Sequence, residues 1–369
     1  MLVALGCGAR TGLGVGYSAP PTERALQVGP AAACAIHDGK LFCWGVNQDG
    51  NLGDGTTISR SRPQEVKLAG RVVAVHVGLS YTCALVEHGS VWCWGTLNRD
   101  NGTFTVDLVP KQIAGTQDAS SLNTGTSDFG CSTVGSAGEV ACWGEAAGFY
   151  GLPNAKPEIS DSARIVPSAR NASRISSGDT FSCQVSTEGA VLCTGANNYG
   201  ALGDGTKTHH LTYQGVVGLP PGATDVAAAG VGSACSLVRS QVFCWGRNDD
   251  GQLGDGTTED RLTPVRVVGL DSVNAIAVGR FRGCALRGEA VYCWGSNKNG
   301  GIGDGTTTAR LTPVQVQGLP PATEVTVGDH FTCANTVDGI YCWGSNDFGQ
   351  LGNGTFGGDQ LLPKKVEIP

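Results

Sequence analysis

Residues 244–267 read CWGRNDDGQLGDGTTEDRLTPVRV, and the pattern returns four more times along the chain. It stands as CWGVNQDGNLGDGTTISRSRPQEV from Cys43, CTGANNYGALGDGTKTHHLTYQGV from Cys193, CWGSNKNGGIGDGTTTARLTPVQV from Cys293 and CWGSNDFGQLGNGTFGGDQLLPKKV from Cys342. Two degenerate copies, CWGTLNRDNGTF from Cys93 and CWGEAAGFYGLP from Cys142, keep Cys-Trp-Gly and lose the LGDGT. Upstream of each lies a second half-motif: a short apolar strand, a Gly in most copies, then a Cys, as in VVAVHVGLSYTCAL and VTVGDHFTCAN. The first Cys of each unit falls at 34, 83, 131, 183, 235, 284 and 333, at intervals of 48 to 52 residues. Several short strands per unit at that period predict radial repetition, an all-β seven-bladed β-propeller, rather than a solenoid of helices.

The cysteines support this independently. Fourteen of the 15 fall into seven pairs, Cys34 with Cys43, Cys83 with Cys93, Cys131 with Cys142, Cys183 with Cys193, Cys235 with Cys244, Cys284 with Cys293 and Cys333 with Cys342, and only Cys7 is left over. Between Cys34 and Cys43 lies Asp38-Gly39, a preferred two-residue hairpin turn. Counting outward, His37 and Lys40 are hydrogen-bonded and Cys34 faces Cys43 on a non-hydrogen-bonded rung. Such rungs hold Cα atoms ~4.5 Å apart, within the ~4.4–6.8 Å that a disulfide spans. Pairs ten or eleven residues apart need one or two more loop residues and keep the same opposition. One disulfide per blade is expected, and with it an oxidising, extracytoplasmic location: an outer-membrane or cell-surface lipoprotein, or a secreted protein.

Composition agrees. The chain has 57 Gly among 369 residues, 15% charged residues and a net charge of −7. Abundant Gly without a collagen period suits short strands and tight turns. No Lys/Arg run tracks a phosphate backbone, so nucleic acid is not an expected partner. No stretch approaches the ~18 apolar residues of a membrane-spanning helix. Residues 1–24 read as a truncated lipoprotein-type signal and flexible linker, and 25–369 as the propeller. MLVALGC resembles the end of a bacterial lipoprotein signal, which makes Cys7 the expected lipid-bearing residue and the only membrane contact. The basic leader and long apolar core of such a signal are missing, as they would be after a start assigned too far downstream.

The G-x-x-x-T-C-A-L segment followed by CWG-x-N-x-x-G-Q-L-G-D-G-T resembles the regulator of chromosome condensation repeat over residues 25–369. The resemblance implies seven four-stranded antiparallel blades, one of them completed by both chain ends, with the segment at Ala25–Val28 meeting Leu361–Ile368. It also implies a scaffold that binds macromolecules. Nucleotide exchange on a small nuclear GTPase, the founding activity of the family, is not expected here, because disulfides are at odds with a nuclear site. Within the repeat, the Trp after the second Cys (Trp44, Trp94, Trp143, Trp245, Trp294, Trp343) is expected to pack between blades. Thr194 replaces it in the fourth copy and predicts a looser joint there.

No catalytic or metal motif emerges. The Asp-rich loops lack the EF-hand spacing, and Asp in LGDGT serves turn chemistry. Six scattered His include one cluster, His209-His210, and sequence neighbours seldom share a metal. H-E-x-x-H, G-x-S-x-G and a phosphate loop are all missing. No cofactor, no metal and no enzyme activity are expected. The expected function is a monomeric, non-enzymatic exported scaffold recognising a protein or glycan through one face. Two alternatives stand beside it: a hydrolase or lyase acting on polysaccharide with carboxylates in the central cavity, and a structural cell-surface module.

The loop before each first Cys varies most and holds the binding candidates Tyr81, Asp128, Phe129, Phe181, Arg280, Phe281, Arg282, Asp329, His330 and Phe331. Arg and aromatic residues are the usual interface anchors. Tyr81, Phe129, Phe181 and Phe331 all stand two residues before Cys and read equally well as repeat core. A second surface, Arg60, Arg62, His209, His210, Arg261 and Arg310, follows LGDGT and reads as architecture with solvated charge. Asn98–Phe104 and Glu145–Pro157, where blades two and three depart from the repeat, form a third.

Overall fold

The computed structural model describes residues 25–98, 104–124, 129–135, 138–144, 160–169, 171–230 and 232–369. Each copy of the repeat is one antiparallel sheet of four strands consecutive in sequence, and there are seven such sheets. Blade one runs from an inner strand (Leu26–Val28) through a second (Ala32–His37) and third (Lys40–Gly45) to an outer strand (Arg60–Val66). Among the described residues no helix is long and apolar enough to cross a membrane.

The hairpin between second and third strands forms in the register its sequence demands. His37 faces Lys40, and Asp38 and Gly39 both take positive φ (51° and 74°), the geometry of the two-residue turn whose twist matches the strands. The same count opposes the paired cysteines in all seven blades, with Cα atoms 4.0–4.1 Å apart, and each pair is a disulfide. Longer loops absorb the extra residues, as Glu87–Gly89 does between Val86 and Ser90.

The core lies between blades rather than inside any one. Seven apolar clusters, one at each joint, close the ring. Second strands such as Tyr81–Val86 and Ser233–Val238 are buried along their whole length because neighbouring blades cover both faces. Outer strands are half exposed and carry Pro63, Pro264, Pro313 and Pro363, which an unpaired edge tolerates and which discourages further strand pairing.

The loop after each Cys-Trp-Gly reaches across to the next blade. The indoles of Trp44, Trp94, Trp245, Trp294 and Trp343 donate to the carbonyls of Gln350, Asn51, Ala201, Gln252 and Gly301 in the preceding blade, at 2.8–2.9 Å. Trp143, which follows the degenerate second copy, is buried with its Nε1 unpaired. The fourth blade corrects an expectation. Where other blades have Pro on the outer strand, it has Tyr213, which packs among Phe129, Cys131, Val140 and Ile175 and donates to Ser182 Oγ at 3.1 Å. Tyr213 thus refills the joint that Thr194 leaves thin.

Closure also differs from what the resemblance implies. The segment at Ala25–Val28 pairs only within blade one, and the outer strand Gln360–Lys365 only within blade seven. The two ends pack side by side in one apolar cluster with Trp44, Phe331 and Val366, joined by an Arg62–Glu367 ion pair (2.7 Å). Both end blades have all four strands of their own, so neither needs a strand from the other terminus.

Candidate functional site

Among the described residues a glycine follows the inner strand in six blades, and in five of them a two-residue turn then leads into the second strand. The N–H of Gly78, Gly178, Gly279 and Gly328 donates to the carbonyl three residues on, closing each turn at 2.8–2.9 Å. These turns crowd around the axis. A Cβ on Gly29 would lie 2.7 Å from Gly78 O, on Gly178 2.6 Å from Gly230 O, and on Gly328 2.5 Å from Gly29 O. No larger residue fits, since real Cβ contacts do not fall that short. Gly29 and Gly328 of this collar line an axial cavity of about 80 Å³ together with Gln27, His76, Asn123, Ser176 and Thr326.

The aromatic slot lies under the same turns. Tyr81, Phe129, Phe181 and Phe331 are 0–1% exposed. The rings of Tyr81, Phe181 and Phe331 sit where a Cβ on Gly78, Gly178 or Gly328 would strike them at 2.5–2.9 Å. Glycine and aromatic are therefore one packing unit, and these four side chains offer no surface to a ligand. Asp128 lies outside the described residues, as do Cys7, the rest of 1–24, and most of the degenerate segments of blades two and three.

Arg282 fills the aromatic slot in blade six and is 1% exposed, so it is not a surface charge. Its Nε donates to Ser296 O (3.1 Å), and Gly301 makes space, since a Cβ there would lie 1.9 Å from Nη1. Burial pushes its pKa down to about 10, against the opposing pull of Asp329 and Asp250.

The remaining candidates do converge. Arg280 and Phe281 from blade six, and Asp329 and His330 from blade seven, stand at the mouth of the channel. The Phe281 and His330 rings stack at 5.4 Å and 18°, and the Arg280 guanidinium lies 5.5 Å from the Phe281 ring centre. Asp179 of blade four joins them, close enough to feel both Arg280 and Asp329. Burial raises its pKa to about 6, with Arg280 opposing and Asp329 adding. Asp329 is likewise raised by burial, against Arg280, His330 and Arg282. Sequence reasoning did not single out Asp179, although the signal was present: GDTFSC in blade four and GDHFTC in blade seven put Asp at the same turn position. On the far side of the mouth the turns are Pro30-Ala31 and Leu79-Ser80, with Leu79 58% exposed.

The second surface resolves into scaffold. Asp54 Oδ1 accepts from Asn47 and Thr56, and its Oδ2 pairs with Arg60 at 2.8 Å. The set repeats with Arg261 on Asp255 (2.8 Å), Arg310 on Asp304 (2.6 Å) and His210 on Asp204 (3.0 Å). His209 Nδ1 accepts from the Asn197 N–H (2.8 Å), so the His pair is divided between two structural tasks. Among the described residues no three His, Cys, Asp or Glu are grouped to hold a metal.

Residues 38–85, 240–286, 289–334 and 338–369 match the model of the Regulator of chromosome condensation (RCC1) repeat, and 322–350 match a second model of that repeat. The human E3 ubiquitin-protein ligase HERC2 is 28% identical over 313 residues, covering 73% of this chain and 6% of that protein. The Ultraviolet-B receptor UVR8 of Arabidopsis thaliana is 28% identical over 265 residues, covering 69% of this chain and 60% of its own. The chain thus spans less than two thirds of either relative. Among solved structures, Prp20p of Saccharomyces cerevisiae, described with its binding to Gsp1p and histones, superposes with a TM-score of 0.77 at 22% identity, covering 93% of this chain and 87% of its own.

Proposed function

The chain belongs to the seven-bladed propellers of regulator of chromosome condensation repeats, and from that premise we propose that it is an exported, non-enzymatic scaffold whose channel mouth binds a protein partner. The carrying observation is where the blades differ. Loops, tryptophans and LGDGT carboxylates repeat with fixed structural partners, whereas Arg280, Phe281 and His330 form a stack that no other blade reproduces among the described residues. Arg and aromatic side chains with no packing task are the usual anchors of an interface. Prp20p, a propeller of the same fold, binds proteins, which favours a protein over a glycan.

Export rests on the seven buried disulfides, which form and persist in oxidising compartments. A lipid on Cys7 would hold the propeller at a membrane. Neither the comparisons nor the mouth adds to the polysaccharide-acting reading.

The test is capture of partners from the native envelope and culture fluid by wild-type chain and by Arg280→Ala/Phe281→Ala/His330→Ala. A protein captured by wild type should be lost from the triple variant and kept by Arg71→Ala/Glu87→Ala, a change on the opposite rim. Equal capture by the triple variant would remove the mouth from the function. A glycan captured instead would replace the protein partner, and reduced cysteine pairs in the native chain would remove the export.

A further inference from the structure

The mouth holds more negative charge than its own cations balance. Asp179 projects from the turn of blade four and Asp329 from that of blade seven, where Asp329 lines the axial cavity beside Arg280. Against these two carboxylates stands one guanidinium at the mouth, that of Arg280, while Arg282 lies beneath and faces Asp250 as well as Asp329. The other described turns, Pro30-Ala31 and Leu79-Ser80, bring no charge.

Arg280 does not settle the account. Among the described residues it makes no ion pair with either Asp179 or Asp329. Its Nε and the Oδ1 of Asp179 are both out of solvent without a hydrogen-bond partner. Its guanidinium leans on Phe281 instead. A guest carrying one positive charge would balance the mouth, whereas an anion would add to its two carboxylates. Arg280 and Asp329 both line the axial cavity of about 80 Å³, so the charged end of a guest entering it would meet them there.

We infer that the mouth is a receptor for one cationic side chain, a lysine or arginine presented by a loop of the protein partner. Asp179 and Asp329 accept its charge, and the Phe281–His330 stack is the wall along which its apolar stem lies. Aromatic faces suit such a stem and head. This inference rests on the reading that the mouth binds a protein.

The probes are tetralysine and tetraglutamate peptides, titrated against the full chain at about pH 7.5 while the ring resonances of Phe281 and His330 are followed. Tetralysine should shift both rings and bind at least ~10-fold more tightly than tetraglutamate. Asp179→Asn/Asp329→Asn, which keeps the side-chain shape, should remove that preference. Asp338→Asn, exposed on the opposite face, should leave it and so control for the net charge of −7. Lowering the pH to about 5 should weaken tetralysine binding, since Asp179 takes up its proton near 6. Stronger binding of tetraglutamate, no ring shift with either peptide, or an undiminished preference in the double variant would each overturn the inference. If tetralysine fails while the Arg280/Phe281/His330 variant still loses the natural partner, the protein-binding reading stands and the cationic guest alone is discarded.

Discussion

The Asp179 carboxyl, raised from 3.8 to about 6 chiefly by burial, holds its proton more tightly in the folded chain than in the unfolded one. Its contribution to stability is therefore fully present below about pH 4 and is lost as pH rises through 6. Asp179→Asn should stabilise the fold at about pH 7.5 by at most about 3 kcal/mol, and change little at about pH 4. Calorimetry at the two pH values checks this, and an equal effect at both would deny the buried charge. Arg282 and Gly301 make a second pair to perturb. Gly301→Ala puts a Cβ against Nη1 and should destabilise by about 1–3 kcal/mol, and much of that cost should vanish in an Arg282→Ala background. Four rings recur two residues before Cys in the sequence, a pattern that fits repeat core and binding surface equally well until their burial is seen. The sequence did not show that Arg282 is buried, since charge and burial leave no common periodic mark. The one hint was Gly301, small where Asn51, Ala201, Gln252 and Gln350 stand in the other loops.

Loops and strands show how one element stabilises the next. Each intact loop lends a backbone carbonyl to the following tryptophan, so losing the indole N–H should cost more at an intact joint than at a degenerate one. Trp294→Phe strips the Gln252 carbonyl of its buried donor and should cost about 1–3 kcal/mol beyond the lost packing, whereas Trp143→Phe breaks no such bond. Denaturant midpoints of the two variants make the comparison, and equal losses would show that the bond contributes nothing. Acid acts on the same loops. Burial alone would raise Asp54, Asp204, Asp255 and Asp304, yet hydrogen bonds from their Thr and the facing Arg or His outweigh it and hold all four low. Their stabilisation is present above the ordinary value of 3.8 and is lost as pH falls through the folded values. Acid unfolding should thus begin below about pH 4, and Asp255→Asn should flatten that limb. Asn353, which already replaces Asp in blade seven, should add nothing to it. The hairpins were legible residue by residue because the Asp-Gly turn sets the register. The reach of each loop to the neighbouring blade was not, because sequence spacing does not show which element a carbonyl will meet.

At the scale of the ring, blade number followed directly from the cysteine intervals, and closure did not. A periodic sequence carries no mark of where a blade begins, so a ring of whole blades and a ring with one blade shared between the ends have the same repeat. The structure settles it by pairing each four consecutive strands. Stability is accordingly spread over seven similar joints. Removing one disulfide, as in Cys284→Ala/Cys293→Ala, should cost at most about 3 kcal/mol, the chain-entropy value for so short a loop. It should leave the strand content unchanged by circular dichroism, and loss of that content would show that one blade is required for all the others.

The joint between the last and first blades is crossed by no strand ladder and, unlike the other joints, by no stretch of main chain; an apolar cluster, the Trp44–Gln350 bond, a Gly354–Ser61 contact and the Arg62–Glu367 pair hold it. Both chain ends lie beside it. Pulled by its termini, the molecule would bear load there first, and the ring would spring open at that seam before any sheet was sheared. The blades would then come away one at a time from either end. Each would release less length than its residue count, because its disulfide withholds the loop between two cysteines 9, 10 or 11 positions apart. A reducing solution would lengthen every step, turning a force trace into a count of oxidised blades.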